Sequence, residues 1–148
     1  MEQKKILITS DHAGFLMKTH ITGYLKKKGI KVINLGTNSE ESVDYPDFAH
    51  KLADKKKSDD IGIAICGSGN GIAMTLNRHD YVRAALCWNT EIARLARQHN
   101  DANVCVLPGR FLTLNEAEKI VDTFLNEPFE GGRHTLRVEK IDFLDVPF

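Results

Sequence analysis

Short apolar runs alternate with amphipathic segments along the chain, and this alternation constrains the fold more than any other feature. The runs are Lys5-Ile6-Leu7-Ile8-Thr9, Val32-Ile33-Asn34-Leu35, Ile61-Gly62-Ile63-Ala64-Ile65, Val82 to Cys87, and Val104-Cys105-Val106-Leu107. Each is strand-sized and mostly apolar on both faces, as parallel strands covered by helices should be. Between them, Met17, Ile21, Tyr24 and Leu25 recur at helical spacing, and Gly29 supplies a stop. Phe48, Ala49, Leu52 and Ala53 follow Pro46, which suits the first turn of a helix. Ile92, Leu95 and Ala96 share a face after Asn89-Thr90. Thr113 with Glu116 fits a capping box ahead of Ala117, Ile120, Val121, Phe124 and Leu125. A further helix is expected to start near Asn70, and a last one to run from about Gly132 to Ile141.

Strands alternating with helices predict right-handed βαβ units. The expected class is α/β: a three-layer αβα, Rossmann-like fold with a doubly wound, five-stranded parallel sheet. At 148 residues, without repeats or linkers, residues 1–148 read as one domain. Twenty Lys plus Arg balance twenty Asp plus Glu. Zero net charge argues against nucleic acid and against an anionic membrane surface as partners. No apolar run approaches the roughly 18 residues that span a bilayer. Lys4 and Lys5 are followed by too few apolar residues for a signal peptide. Cys66, Cys87 and Cys105 form no CxxC pair and no even framework, so a reducing, cytoplasmic location is expected. The histidines show neither HxxxH nor HExxH spacing; no metal and no cofactor is expected.

In doubly wound sheets, ligands bind beyond the carboxyl ends of the strands. There the sequence places Ser10-Asp11-His12-Ala13-Gly14, Cys66-Gly67-Ser68-Gly69-Asn70-Gly71, Trp88-Asn89 and Pro108-Gly109-Arg110. Gly67, Gly69 and Gly71 let an anion approach the backbone, and a helix starting near Asn70 adds its positive end. The loop reads as an anion or oxyanion cradle, or as a tight strand-to-helix turn. Cys66 opens it. A helix start lowers a thiol's pKa, so Cys66 reads as a nucleophile or general base, against the alternative of a small buried hydrophobe. Cys87 and Cys105 fit that alternative better.

His12 has Asp11 beside it. His99 lies in the polar segment Arg97-Gln98-His99-Asn100-Asp101. His134 lies between Arg133 and Arg137, which are spaced to share a helix face and suit phosphate, with Arg110 a possible third prong. His20, His50 and His79 read as solvated surface.

Five segments together resemble the type B ribose-5-phosphate isomerases: Asp11-His12-Ala13-Gly14, Asp44-Tyr45-Pro46, Cys66-Gly67-Ser68-Gly69-Asn70-Gly71, Arg97-Gln98-His99-Asn100-Asp101 and Glu130-Gly131-Gly132-Arg133-His134. The resemblance runs from Lys5 to about Ile141, leaving 142–148 as a variable tail. It implies a metal-free aldose–ketose isomerase acting through a cis-enediolate. It also implies a homodimer, or a dimer of dimers, whose sites draw on both subunits. Cys66 matches the base that moves a proton between C1 and C2. Ser68 matches a hydroxyl that shuttles protons on the sugar oxygens, and the backbone of Gly67, Gly69, Asn70 and Gly71 matches the enediolate's anion hole. His99 matches the residue that opens the furanose ring, with Asp11 and Asn100 close by. His12, Arg110, Arg133 and Arg137 match phosphate and substrate contacts, and Tyr45 a pocket-lining residue.

Two positions depart from the family pattern. Many members carry Thr where this chain has Ser68. Another branch places Glu directly after the Gly-Ser-Gly-Asn-Gly loop, where this chain has Ile72, so the base falls to Cys66. The competing activities are isomerisation of allose 6-phosphate or galactose 6-phosphate, and non-catalytic sensing of a sugar phosphate. The related galactose-6-phosphate enzymes divide their catalytic residues between two kinds of chain. Here Cys66, His99 and both arginines stand in one.

Overall fold

The computed structural model describes residues 5–143. Five strands form the sheet: β1 (Ile6–Ser10), β2 (Val32–Asn34), β3 (Ile61–Cys66), β4 (Ala84–Leu86) and β5 (Val104–Pro108). They alternate with α1 (Phe15–Lys27), α2 (Tyr45–Lys55), α3 (Asn70–Leu76), α4 (Thr90–Asn100) and α5 (Leu114–Asn126), and α6 (Arg133–Asp142) is the last element among the described residues. All pairings are parallel, in the order β2-β1-β3-β5-β4. This is the expected doubly wound α/β class. The chain leaves β1 toward β2 on one side and resumes at β3 on the other. The loops after β1 and β3 therefore diverge and open a crevice at the carboxyl edge.

The period of two along each strand splits the core. Ile61, Ile63 and Ile65 join Met17, Ile21, Leu25, Ala93, Ile120 and Phe124 under α1, α4 and α5. Ala64 and Cys66 face the other way, with Ala49, Leu52, Ile72 and Leu76 of α2 and α3. Three layers result, and Cys66 belongs to the α2/α3 side.

The central strands are buried throughout, whereas β2 and β4 are edge strands and only partly covered. The sequence predicts β4 from Val82 to Cys87, but only Ala84–Leu86 form strand. Before it, the Arg83 amide donates to the Asn103 side chain at 2.8 Å. After it, the chain turns into the Asn89 cap, whose side chain accepts from Ile92 N–H at 2.8 Å. The Thr113–Glu116 capping box forms as its spacing predicts. Lys18, on the apolar stripe of α1, is 1% exposed. Its ammonium donates to Asn34 Oδ1 at 3.0 Å, and burial pushes its pKa down. Of the segment read as a variable tail, 144–148 lie outside the described residues.

Candidate functional site

At the carboxyl edge, Cys66 ends β3 with 4% of its surface exposed. Its carbonyl accepts from Gly109 N–H at 2.9 Å, and Gly67's carbonyl accepts from Arg110 N–H at 2.9 Å, so the loop is tied to the end of β5. Gly69 has φ +80°, the left-handed region that favours glycine, and a Cβ there would strike the Leu86 side chain. A Cβ on Gly71 would run into the Tyr45 ring, and one on Gly67 would sit 3.3 Å from the Arg110 guanidinium. The glycines therefore bring Tyr45 and Arg110 against the loop that Cys66 opens. Ser68 Oγ accepts from Asn70 N–H at 3.3 Å.

Asp11 joins this loop through its amide, which donates to Ile65 O at 3.2 Å. Its carboxylate accepts from Gly14 N–H at 3.1 Å, capping a short 3₁₀ turn over His12–Gly14. His12 Nδ1 accepts from Val43 N–H at 3.1 Å. In the neutral ring that bond assigns the proton to Nε2, which becomes the donor end.

Burial pushes the Cys66 thiol above its ordinary value, and the nearby Asp11 carboxylate adds to the rise. The backbone N–H groups of Ile72, Gly69 and Gly71, at the start of α3, pull it down. The sequence shows only the helix start, which favours the thiolate. The helix start does act in that direction, but desolvation of a thiol buried in the α2/α3 layer outweighs it.

The remaining expected site residues lie elsewhere. α4 leaves the carboxyl end of β4 and runs back along the sheet, so His99 and Asn100 come to the strands' amino ends. Eleven residues at 1.5 Å each make that journey about 16 Å. α6 packs against the end of α4: the His99 and His134 rings stack with centroids 4.3 Å apart, and Glu130 N–H donates to Gln98 O at 3.1 Å. Arg83, just before β4, donates to Asp142 at 2.7 Å and to Asp101 O at 3.0 Å, fixing the far end of α6 at the same edge. Arg133 and Arg137 ride on α6. Within one chain, then, Arg133 and Arg137 do not converge with His12 and Arg110, nor does His99 approach Asp11.

His134 is 6% exposed, and its Nε2 has no hydrogen-bond partner. Burial pushes its pKa down, reinforced by His99, Arg133 and Arg137 and opposed by Glu130. The histidines read as solvated surface find partners: His20 meets Glu118 at 2.6 Å, and His50 meets His79 at 2.6 Å.

The family described as Ribose/Galactose Isomerase matches residues 6–141 of this chain. The chain belongs to that family. Among its relatives, the ribose-5-phosphate isomerase B of Escherichia coli is 41% identical, over 96% of this chain and 97% of the relative. A crystal structure of a Thermotoga maritima ribose 5-phosphate isomerase is 51% identical and superposes with a TM-score of 0.92, covering 95% of this chain and 99% of that one. A Mycoplasma genitalium ribose-5-phosphate isomerase B, solved with ribulose-5-phosphate bound, is 47% identical with a TM-score of 0.91 and 95% coverage of each chain.

Three contacts around these residues had no signal in the sequence. The Val43 amide orients His12 from 31 residues away. Glu130 joins the His99–His134 stack from the loop before α6. Lys18 braces Asn34, whose Oδ1 also accepts from Gly36 N–H at 2.9 Å, and so steadies the start of the loop that carries Val43.

Proposed function

We infer that this chain is an aldose–ketose isomerase interconverting D-ribose 5-phosphate and D-ribulose 5-phosphate. The observation that carries the reading is Cys66, buried at the mouth of a glycine loop whose amides face its sulfur, in a chain of the family whose relatives bear that name. The thiolate takes the proton from C2 of the open aldose. The C–H electrons form the C1–C2 double bond, and the carbonyl oxygen becomes an enediolate oxygen. The thiol then returns the proton to C1 as the hydroxyl on C2 gives up its own and becomes the carbonyl. Ser68 moves protons between the two oxygens. Amides of Gly67, Gly69, Asn70 and Gly71 meet the developing charge, each well-placed donor contributing about 3 kcal/mol in the transition state.

We propose that two copies build each site. One supplies Cys66, Ser68, the glycine loop, Asp11, His12, Tyr45 and Arg110; the other supplies His99, Asn100, Arg133 and Arg137. His99 opens the furanose ring and the arginines grip the phosphate. The support is topological: these residues occupy opposite ends of one sheet. Around the open end, Leu16, Trp88 and Phe111 are 65%, 57% and 73% exposed, an apolar rim suited to a second copy. The reading includes a cytoplasmic location, supported by three free cysteines; no helix among the described residues is long and apolar enough to cross a membrane.

The test is kcat/KM for one purified chain across ribose 5-, allose 6- and galactose 6-phosphates. Ribose 5-phosphate is expected to lead; a six-carbon phosphate in first place would overturn the substrate assignment.

A further inference from the structure

Three side chains that meet at the amino edge form a donor set of which the proposed isomerisation uses only His99. One ligating atom each from His99, Glu130 and His134 lies within 4.8 Å of the other two. We propose that these residues form a binding site for a divalent cation of the zinc type, and that its occupation switches off ring opening.

Two imidazoles and a carboxylate are the three protein ligands of zinc sites that keep a fourth position for water or a substrate oxygen. The second observation is independent of that inventory. His134 Nε2 is buried and lacks a partner, an uncommon and costly condition for an imidazole nitrogen. Its nearest counter-group, Glu130 Oε2, stands 3.7 Å away, too far for a hydrogen bond. Ligands at 2.0–2.1 Å from a tetrahedral zinc are roughly 3.3 Å apart, so this pair closes on a cation with a small shift.

His99 must move further. Its ring lies nearly parallel to that of His134, at 14°, so their lone pairs run side by side. Rotation about the soft Cβ–Cγ bond turns the His99 nitrogen onto the cation and breaks the stack. Arg133 and Arg137 make the local potential positive. That costs any dication; two imidazoles repay the cost for a borderline cation but not for magnesium or calcium, which prefer oxygen. A cation on His99 occupies the nitrogen lone pair that would otherwise carry the ring-opening proton. The inhibition rests on the catalytic reading of His99; the site itself does not.

The experiment titrates zinc chloride, and cobalt(II) chloride as a spectroscopic probe, into metal-free protein, with metal counted after gel filtration. One zinc per chain is expected, and cobalt should give a tetrahedral spectrum. Glu130→Gln lies on an exposed side chain and is expected to fold and to turn over normally. It should weaken zinc by more than the roughly 10–100-fold that loss of an outer-shell partner costs. His134→Gln should do the same, and Cys66→Ala should bind zinc as wild type does. Wild-type turnover should fall as zinc binds, return on adding a chelator, and resist zinc in Glu130→Gln. Zinc retained by Glu130→Gln, or lost in Cys66→Ala, would overturn the site. Zinc bound through Glu130 without inhibition would uphold the site and overturn the role of His99.

Discussion

The two ends of the sheet carry functional groups built in different ways. At the carboxyl edge, the chemistry lies mainly in the main chain. Cys66 ends a fully buried strand, glycines hold the amides in place, and backbone hydrogen bonds to Gly109 and Arg110 brace the loop. At the amino edge, it lies in side chains mounted on α4 and α6 and joined by a ring stack, ion pairs and single hydrogen bonds. The first kind of construction gives amides that hardly reorganise as charge develops, which suits proton transfer at carbon. The second gives longer, turnable groups, which suits opening a ring and gripping a phosphate. On the proposed two-copy reading, that contrast explains why one chain would present two half-sites rather than one complete site.

The most severe way to break the carboxyl-edge half is Cys66→Ala. Turnover should fall by about a hundredfold to ten-thousandfold, the span expected for a lost acid–base group, with unchanged far-UV dichroism. Near-normal kcat in this variant would remove Cys66 from the mechanism. Mixing the ends tests their separation directly. Cys66→Ala and His99→Ala chains, each nearly inactive alone, should recover about a quarter of wild-type activity after unfolding and refolding together. Half the random pairs are then mixed, and one of their two sites is intact. No recovery would mean that each site belongs to one chain.

Smaller perturbations sharpen the same contrast. Arg137→Ala should raise KM roughly tenfold to a hundredfold, as loss of a hydrogen bond to a charged group implies, with kcat little changed. Unchanged KM would put the phosphate elsewhere. The wild-type pH profile should show the burial of Cys66. The active form is the thiolate and burial raises the thiol's pKa, so kcat/KM should climb by up to tenfold per unit through neutral pH. It should level off above the ordinary cysteine value of about 8.5. A plateau below that value would mean that the α3 amides, not desolvation, set the thiol. Least of all, Asn89→Ala should cost about 1 kcal/mol in chemical denaturation by removing the α4 cap; an unchanged midpoint would show the helix held by packing alone.

The carboxyl-edge half was legible because its parts are local. A strand's last residue, the glycines that follow and a helix start lie within six positions, and the switch-point rule says where they face. The five strands and the Thr113 capping box were legible for the same reason. The state of the Cys66 thiol was not, because the helix start is written next to it while the burying residues, Ala49, Leu52 and Ile72, arrive by packing. Nor was the amino-edge half. His99 and His134 are 35 positions apart, and only the run of α4 back across the sheet and the docking of α6 bring their rings together. Resemblance named those residues as a set but could not say that α4 carries His99 away from Cys66.

The length of α4 also has an evolutionary consequence. If the active unit is a pair, each chain contributes one of its ends to each shared site. After a gene duplication, one copy could lose Cys66 and its sister His99, and a mixed pair would still hold one complete site. Neither loss would be exposed to selection while the partner persisted. A fold with its working parts at opposite poles is therefore open to divergence into two dependent chains, each inactive alone.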